Sequence, residues 1–196
     1  MISLFFLIVY LFINLTSTSA KKAWEISYIL TRFLNMNEIR IGRKTFISDL
    51  CSIRGRVKIG NDCSVFDFAS IRGDLGSIVI DDFSNVQDNV TIHCDPGYDV
   101  KVGKYVSIGH NAVVHGCTIG NNCLVGMGAI IMNGSLIGDG SVIGAGAVIL
   151  ENKKIPENSM VAGIPGKIMS NSIEYEKMAR RNAEDYVKLK DTYLKD

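Results

Sequence analysis

Isoleucine or valine recurs at every sixth position along most of this chain, with polar and small residues between. The repeat runs in four stretches, whose aliphatic positions are Ile41, Ile47, Ile53, Ile59, Val65 and Ile71, then Ile80, Val86 and Ile92, then Val102, Ile108 and Val114, and then Ile119, Val125, Ile131, Ile137, Ile143, Ile149, Ile155 and Val161. A sustained six-residue period is typical of a parallel β-helix, in which each hexapeptide forms a short strand and a corner. We therefore predict an all-β, triangular β-helix with three hexapeptides in each coil and the aliphatic side chains stacked inside.

Small or β-branched residues often occupy the position four places after these aliphatic residues, and glycine often lies next to the aliphatic residue. The small positions are Thr45, Cys51, Cys63, Ala69, Ala112, Cys123, Ala129, Ser135, Ser141, Ala147 and Ser159. Such residues suit the tight corners of a narrow prism, where a larger side chain would be crowded. Strands of a β-sandwich would instead alternate apolar and polar residues, with turns about every eight to twelve residues, so the fixed period favours the β-helix.

The repeat also predicts where the domains lie. It places one β-helix domain over residues 36–168 and leaves residues 169–196 for a C-terminal α-helix. The apolar residues of this tail approximate one stripe, formed by Ile173, Met178, Tyr186, Leu189 and Tyr193. Ser170 and Asn171 are predicted to cap the helix N-terminus. We expect this amphipathic helix to pack along the β-helix through its stripe.

Residues 1–35 precede the repeat and admit three interpretations. An apolar run, Met1–Leu15, has the length of a signal peptide, and a tolerable cleavage site follows at Thr18–Ala20. No Lys or Arg precedes the run, which is unlike a signal peptide, and the run is short for a membrane-spanning helix. The segment is an exported or membrane-tethered leader, an extension upstream of a true start at Met36, or a structural helix. The protein is cytoplasmic in the second case, and membrane contact is expected only if the leader is retained.

Composition narrows the classes of function. The chain is 47% hydrophobic and 21% charged with a net charge of +1, which suits a single globular domain. Lysine and arginine are too little clustered to bind a phosphate backbone, so we expect no nucleic-acid partner. The five cysteines are an odd number, and Cys51, Cys63 and Cys123 take inward small-residue positions, so buried free thiols are expected there. The sequence leaves the role of Cys94 and Cys117 undecided, because each lies close to a histidine.

All three histidines of the chain fall within one 23-residue stretch of the repeat. His93 and His115 directly follow Ile92 and Val114, which the repeat places on the same face of successive coils. Both imidazoles should therefore point outward and stack at the inter-strand distance of about 4.8 Å. At that spacing they can share one metal ion. Arg72 falls on the same face one coil earlier.

His110 lies differently, because it comes two residues after Ile108, on the preceding face of the prism and above Asp88. It cannot easily turn toward a metal held by His93 and His115 of its own chain. A tetrahedral site with three protein ligands forms if His110 comes from a neighbouring chain. Two adjacent faces of a triangular prism that meet in this way close at three subunits, so we predict a cyclic homotrimer with three interfacial sites. The alternative is that the histidines merely decorate the surface.

Several blocks of the sequence resemble the γ-class carbonic anhydrases and their close hexapeptide-repeat relatives. The blocks, in order, are Ile71-Arg72-Gly73-Asp74, Asn85-Val86-Gln87-Asp88, Ile92-His93 and Gly109 to Cys117. The resemblance runs from about Ile41 to Lys167 and implies a left-handed β-helix. It also implies that His93, His110 and His115 are the metal ligands, with His110 donated by the adjacent subunit.

The same resemblance implies roles for polar residues around the metal. Arg72 and Asp74 match the family's ion pair between subunits, and Asp88 matches the acid that closes the second block. Asn85 and Gln87 match polar residues near the metal-bound solvent, and Gln87 is the candidate for orienting it. Ordinary hydrogen bonding at tight corners is the alternative explanation for these residues, above all for Asn85.

The chemistry that the resemblance implies is the reversible hydration of CO2 to bicarbonate. Three imidazoles would bind Zn²⁺, or another divalent metal such as Fe²⁺ or Co²⁺, and lower the pKa of its water from ~15.7 to ~7, giving a metal-bound hydroxide. Here Leu75 and the short loop Asp95–Asp99 stand where active members carry proton-transferring glutamates. Regeneration of the hydroxide is therefore expected to be slow unless Asp95, Asp99 or buffer carries the proton.

Two other functions stay open from the sequence. Hexapeptide β-helices also include CoA-dependent acyltransferases, which use a single histidine as general base. The segment Val161–Lys167 resembles the end of the coil domain in those enzymes, although three histidines in ligand register favour a metal site. The other possibility is a non-catalytic metal-binding trimer, since some relatives carry the label ferripyochelin-binding protein. Such a trimer would bind metal without converting CO2.

Overall fold

Short parallel strands wind into a left-handed β-helix of about seven turns, followed by a C-terminal helix, in the computed structural model of this chain. The structure describes residues 37–194, so the interpretations of residues 1–35 lie outside the described part. The strands are β1 Asn37–Ile41, β2 Phe46–Ile47, β3 Ser52–Ile59, β4 Ser64–Val65, β5 Ser70–Ile80, β6 Asn85–Val86, β7 Thr91–His93, β8 Val100–Val102, β9 Ser107–Ile108, β10 Val113–His115, β11 Thr118–Ile119, β12 Leu124–Val125, β13 Ile130–Ile131, β14 Leu136–Ile137, β15 Val142–Ile143, β16 Val148–Ile149, β17 Lys154–Ile155, β18 Ser159–Ala162 and β19 Lys167–Asn171. The helix, α1, is Ile173–Tyr193.

The strands pair from coil to coil in the register of the repeat. One sheet runs β16, β13, β10, β7, β5, β8, β11, β14 and β17, and β3 pairs with both β5 and β1. The long strand β5 pairs with β7 through its first half and with β8 through its second half, so this sheet covers two faces. The second sheet runs β19, β18, β15, β12, β9, β6, β4 and β2. The predicted left-handed parallel β-helix is confirmed, and among the strands of residues 37–194 only β19 turns back, antiparallel to β18.

The aliphatic positions of the repeat fill the interior of the prism. Ile71, Ile92 and Val114 lie opposite one another on successive coils and are fully buried. The corners turn through left-handed backbone, for example at Asn111 with φ of 61° and Gly128 with φ of 68°. Asn and Gly adopt this conformation more readily than other residues. Each coil therefore buries the apolar face of its neighbour, which is why the repeat must extend over several coils.

All five cysteines are free thiols. Cys63 and Cys123 are buried, as their place in the repeat predicts, whereas Cys51 is only partly buried. Cys94 and Cys117, which the sequence left open, are buried as well. Burial raises the pKa of Cys63, Cys117 and Cys123 to about 12. These three thiols therefore behave as small apolar side chains rather than as metal ligands or nucleophiles.

Helix α1 begins at Ile173, one residue later than the start at Ser172 that the sequence predicts. Ser172 caps it, and the Ser172 hydroxyl accepts a hydrogen bond from the backbone amide of Glu174. Ser170 and Asn171, the predicted capping residues, lie in β19 instead. The reason is that the chain first forms β19, which pairs antiparallel with β18 at the end of the second sheet. The helix starts only after this strand.

The helix packs on the second sheet through small and aromatic side chains. Ala179 and Ala183 are buried, while Tyr186 and Tyr193 contact the ring of Phe66. Because alanine lets the helix axis approach the strands closely, these residues set the contact face. Four residues of the predicted stripe are exposed instead, namely Ile173, Met178, Leu189 and Tyr193, the last of which still contacts Phe66 with its ring. Within residues 37–194 no helix is both long and apolar enough to cross a membrane.

Candidate metal site

His93 and His115 lie side by side on neighbouring coils. Strands β7 and β10 pair so that His93 is opposite His115, and β5 places Arg72 beside His93. Nδ1 of His93 is 2.9 Å from Nε2 of His115, and the ring centroids are 5.0 Å apart. The three residues form the column that the repeat predicts, and the two imidazoles are close enough to share an ion.

Asp74 orients the His93 ring. Its Oδ1 lies 3.2 Å from Nε2 of His93, and its Oδ2 accepts a 2.6 Å hydrogen bond from Arg72. Burial by itself would raise the pKa of Asp74, but the hydrogen bonds and charges of Arg72 and His93 outweigh it and lower that pKa. An ionised Asp74 accepts, so Nε2 of His93 carries the ring hydrogen and Nδ1 keeps its lone pair. Within the chain, Arg72 and Asp74 form an ion pair.

Asn133 orients the His115 ring. Its Oδ1 lies 2.7 Å from Nδ1 of His115, and its Nδ2 donates a 3.0 Å hydrogen bond to Oδ2 of Asp95. Because a carboxylate only accepts, the amide nitrogen must face Asp95 and the amide oxygen must face His115. Nδ1 of His115 therefore carries the ring hydrogen. Sequence reasoning did not select Asn133, and the available signal was its place 18 residues, or one coil, after His115.

The inner nitrogens of the two rings consequently face each other with lone pairs. Nδ1 of His93 and Nε2 of His115 are 2.9 Å apart. In two neutral rings whose outer nitrogens donate, neither of these inner nitrogens carries a hydrogen. Two lone pairs at this distance repel, and a cation between them removes the repulsion. Neutral imidazoles with hydrogen-bonded outer nitrogens are common metal ligands, so the donor set fits a divalent metal. Potential ligand atoms of His93, Asp95 and His115 all lie within 4.8 Å of one another.

His110 belongs to a second cluster on the preceding face. Its Nδ1 lies 2.9 Å from Oδ2 of Asp88, and its backbone amide donates a 3.2 Å hydrogen bond to Oε1 of Gln87. Nε2 of Gln87 donates to Oδ1 of Asn85 at 3.0 Å, and Nδ2 of Asn85 donates to Ser107 at 2.8 Å. Gln87 and Asn85 are buried. Gln87, predicted to orient solvent, is thus anchored at both ends of its amide.

The site residues therefore divide into two groups on one chain. We call Arg72, Asp74, His93, Asp95, His115 and Asn133 the first half-site, and Asn85, Gln87, Asp88 and His110 the second half-site. The structure brings His93 and His115 together and pairs His110 with Asp88, whose side chains are 39% and 42% exposed. Helix α1 places Tyr186 close to the second half-site. Burial, and next the negative charge of Asp88, raise the pKa of Tyr186.

Comparison with known proteins adds four similarities. A family model described as "Bacterial transferase hexapeptide (six repeats)" matches residues 116–151. The chain is 49% identical over 153 residues to a "Probable carbonic anhydrase" of Methanocaldococcus jannaschii, which covers 78% of this chain and 96% of that protein. It is 28% identical to "Gamma carbonic anhydrase 2, mitochondrial" of Arabidopsis thaliana, over 76% of this chain and 56% of that protein. A hexapeptide transferase family protein from Anaplasma phagocytophilum superimposes with a TM-score of 0.76 and 33% identity, over 79% of this chain and 92% of that one.

Proposed function

This chain belongs to the γ-class carbonic anhydrase family of hexapeptide-repeat proteins, and from that premise we propose that it catalyses the metal-dependent, reversible hydration of CO2 to bicarbonate. One observation of the chain itself supports this most: Nδ1 of His93 and Nε2 of His115 converge to 2.9 Å. A general base needs one imidazole beside its substrate, whereas two imidazoles aimed at a common point suit a metal ion.

We propose that one metal ion is bound by His93 and His115 of one chain and by His110 of its neighbour. His110 is partly exposed and keeps Nε2 for this contact, because its Nδ1 faces a carboxylate. Asp95 is the competing third ligand within the chain, but its Oδ2 already accepts a hydrogen bond from Asn133. Three imidazoles would hold the ion and leave room for a solvent molecule on it. Zn²⁺, Fe²⁺ and Co²⁺ all accept such a donor set.

The proposed homotrimer follows from the division of the site. A cyclic assembly presents the first half-site of each chain to the second half-site of the next, so every site is complete. A head-to-tail contact of this kind either closes into a ring or continues as a filament. The three-sided cross-section of the prism favours closure at three subunits.

A divalent metal bound by three imidazoles lowers the pKa of its water from ~15.7 to ~7, the general range for such sites. The chain itself binds and orients. Asp74 and Asn133 keep the two rings of the first half-site in place, and Arg72 keeps Asp74 in place. Gln87 uses one Nε2 hydrogen on its neighbour, and we propose that its second hydrogen orients the reacting water.

Hydration of one CO2 by one water yields one bicarbonate and one proton, which must leave the site. Asp95 accepts a hydrogen bond from Asn133, and Asp99 accepts a 2.7 Å hydrogen bond from the amide of Ser77. Both carboxylates are thus engaged within the chain, and Leu75 has no ionisable group. We therefore propose that dissolved buffer accepts the proton, so that turnover rises with buffer concentration.

The first test measures metal content and CO2 hydration on the full-length chain and on His115→Ala. We expect about one metal ion per chain in the wild type, and loss of both metal and hydration in the variant, because it removes one of three ligands. Asn121→Ala, a corner asparagine outside both half-sites, is the control and should keep both. Metal without hydration would reduce the function to metal binding, and a wild-type chain without metal would contradict the proposal.

Acyl transfer from CoA is the second candidate function. The Anaplasma relative is described as a hexapeptide transferase family protein, and His110 with Asp88 at 2.9 Å has the geometry of a general base and its orienting carboxylate. This reading predicts that the metal-stripped chain binds CoA and that His110→Ala retains the binding but loses acyl transfer. Calorimetry with CoA decides it, since absence of binding eliminates the candidate.

A further inference from the structure

We propose that Asn133 is a positioning residue for the metal ligand His115, and that it transmits the negative charge of Asp95 to that ring. The inference rests on the proposed function, because it concerns how the same metal site is built. Asn133 does not itself bind the metal or CO2 in this proposal. It acts through the orientation and the basicity of His115.

Asn133 is the middle member of a hydrogen-bonded chain. Its Nδ2 donates to Oδ2 of Asp95 at 3.0 Å, and its Oδ1 lies 2.7 Å from Nδ1 of His115. Both bonds run in the same direction, so each polarises the next. Electron density shifts toward the imidazole, and Nε2, the nitrogen that faces His93, becomes a better ligand.

The His93 ring contacts a carboxylate directly, with no amide between the two groups. Asp74 contacts Nε2 of His93 directly, at 3.2 Å. His115 instead faces an amide, and its carboxylate stands one residue further away. Each ring of the first half-site is therefore backed by an aspartate, one directly and one through Asn133.

The backbone around Asn133 is shaped to admit its amide. Gly116 follows His115 with φ of +54°, and a Cβ at this glycine would lie 2.2 Å from Oδ1 of Asn133 and 2.8 Å from Cβ of Tyr98. Glycine thus leaves the space that the amide fills. The amide of Tyr98 donates a 2.9 Å hydrogen bond to the carbonyl of Asp95, which closes the loop that carries this carboxylate.

The first readout needs no metal. In the full-length, metal-free chain, the ring ¹⁵N shifts of the three histidines report which nitrogen carries the hydrogen. We expect His115 to be the Nδ1–H tautomer in the wild type and a mixture of both tautomers in Asn133→Ala. Asn121→Ala removes a comparable amide, bonded to the Lys104 amide at 2.9 Å and to Asp139 at 3.0 Å, and should leave the His115 tautomer unchanged.

The second readout is the affinity for Co²⁺, measured by chelator competition and by visible absorption. We expect Asn133→Ala to weaken Co²⁺ binding by about 10–100-fold, the usual effect of losing an outer partner of a ligand. Asn121→Ala should bind Co²⁺ like the wild type. Comparable urea unfolding of the two metal-free variants would separate this effect from a general loss of stability.

A swapped pair tests the direction of the chain. Asn133→Asp keeps an acceptor for His115 but places a second carboxylate against Asp95. Adding Asp95→Asn restores a donor between the two positions. We expect the double variant to recover both the Co²⁺ affinity and the Nδ1–H tautomer of His115. A double variant as weak as Asn133→Ala would overturn the proposed chain.

The outcomes distinguish this inference from the proposed function. A wild-type chain that binds no Co²⁺ overturns the proposed function and this inference with it. A wild-type chain that binds Co²⁺, together with Asn133→Ala binding equally well and keeping the same His115 tautomer, overturns the role of Asn133 alone.

Discussion

Hydrogen bonds to the outer ring nitrogen decide which nitrogen of each histidine is left for a metal. The pairs are His93 with Asp74, His115 with Asn133 and His110 with Asp88. His93 is left to bind through Nδ1, whereas His110 and His115 are left to bind through Nε2. The fixed tautomer, more than the mere presence of three histidines, makes the donor set suitable for a divalent metal.

At this scale we predict that Asp88→Ala weakens metal binding by about 10–100-fold, because His110 loses the acceptor that fixes its tautomer. The pair is half exposed, so its loss should change the free energy of unfolding of the metal-free chain by less than about 1 kcal/mol. Chelator competition and urea unfolding measure the two effects. Asp67→Ala, which removes a 2.5 Å hydrogen bond from Ser48, is the control. Equal metal affinity in both variants would contradict the prediction.

At the scale of elements, helix α1 is fixed to the corners of the β-helix by polar contacts. Glu176 accepts a 2.8 Å hydrogen bond from Asn122, and the Arg180 guanidinium lies 3.3 Å from the centre of the Tyr105 ring. Lys190 is fully buried, with its Nζ 3.2 Å from Asp62. Apolar burial and these contacts together hold the helix against the second sheet, beside the strands that carry the second half-site.

We predict opposite effects from the two partners of the buried ion pair. Lys190→Met should leave the free energy of unfolding unchanged or raise it by about 1 kcal/mol, because it removes the buried charge, keeps the packing and leaves Asp62 28% exposed to water. Asp62→Asn should lower it by up to about 3 kcal/mol, because Lys190 then keeps only Asp191 at 2.5 Å. Asparagine tolerates the positive φ of Asp62, 53°, so backbone strain does not enter. Urea unfolding of the two variants and of their combination checks the signs.

At the scale of the whole molecule, each chain carries two unlike halves of one proposed site. The first half-site offers two imidazoles and the second offers one, on adjacent faces of the prism. A heterologous contact joins two different surfaces. Assembly can therefore join the first half-site of one chain to the second half-site of the next, although the two half-sites within a chain are unlike. Function is therefore expected to depend on assembly as well as on folding.

This division predicts complementation between two inactive variants. His93→Ala damages only the first half-site, and His110→Ala damages only the second. Trimers formed from an equal mixture should regain roughly a quarter of the wild-type activity, because that fraction of interfaces joins two intact halves. CO2 hydration after unfolding and refolding the mixture measures it, with each variant refolded alone as control. No recovery would indicate that each chain builds its site alone.

The sequence by itself determined the β-helix and the column of outward residues. A residue six positions further along the chain lies on the next face of the prism. A residue one whole coil further along stacks on the first residue, so counting residues gives position in space. This is why the pairing of His93 with His115 and the place of His110 above Asp88 could be predicted. The resemblance to a known family then supplied the reaction that we propose for such a column.

Only the tertiary structure decided the contacts that depend on side-chain direction and on where the repeat ends. Asn133 reaches His115 across one coil because Asp95 turns its amide, and no repeat count fixes an amide orientation. Likewise, the helix is capped by Ser172 because β19 first pairs antiparallel with β18. The face of α1 that is buried is the one that carries Ala179 and Ala183. A repeat fixes the positions that it occupies, whereas capping and hydrogen-bond direction depend on what packs against them.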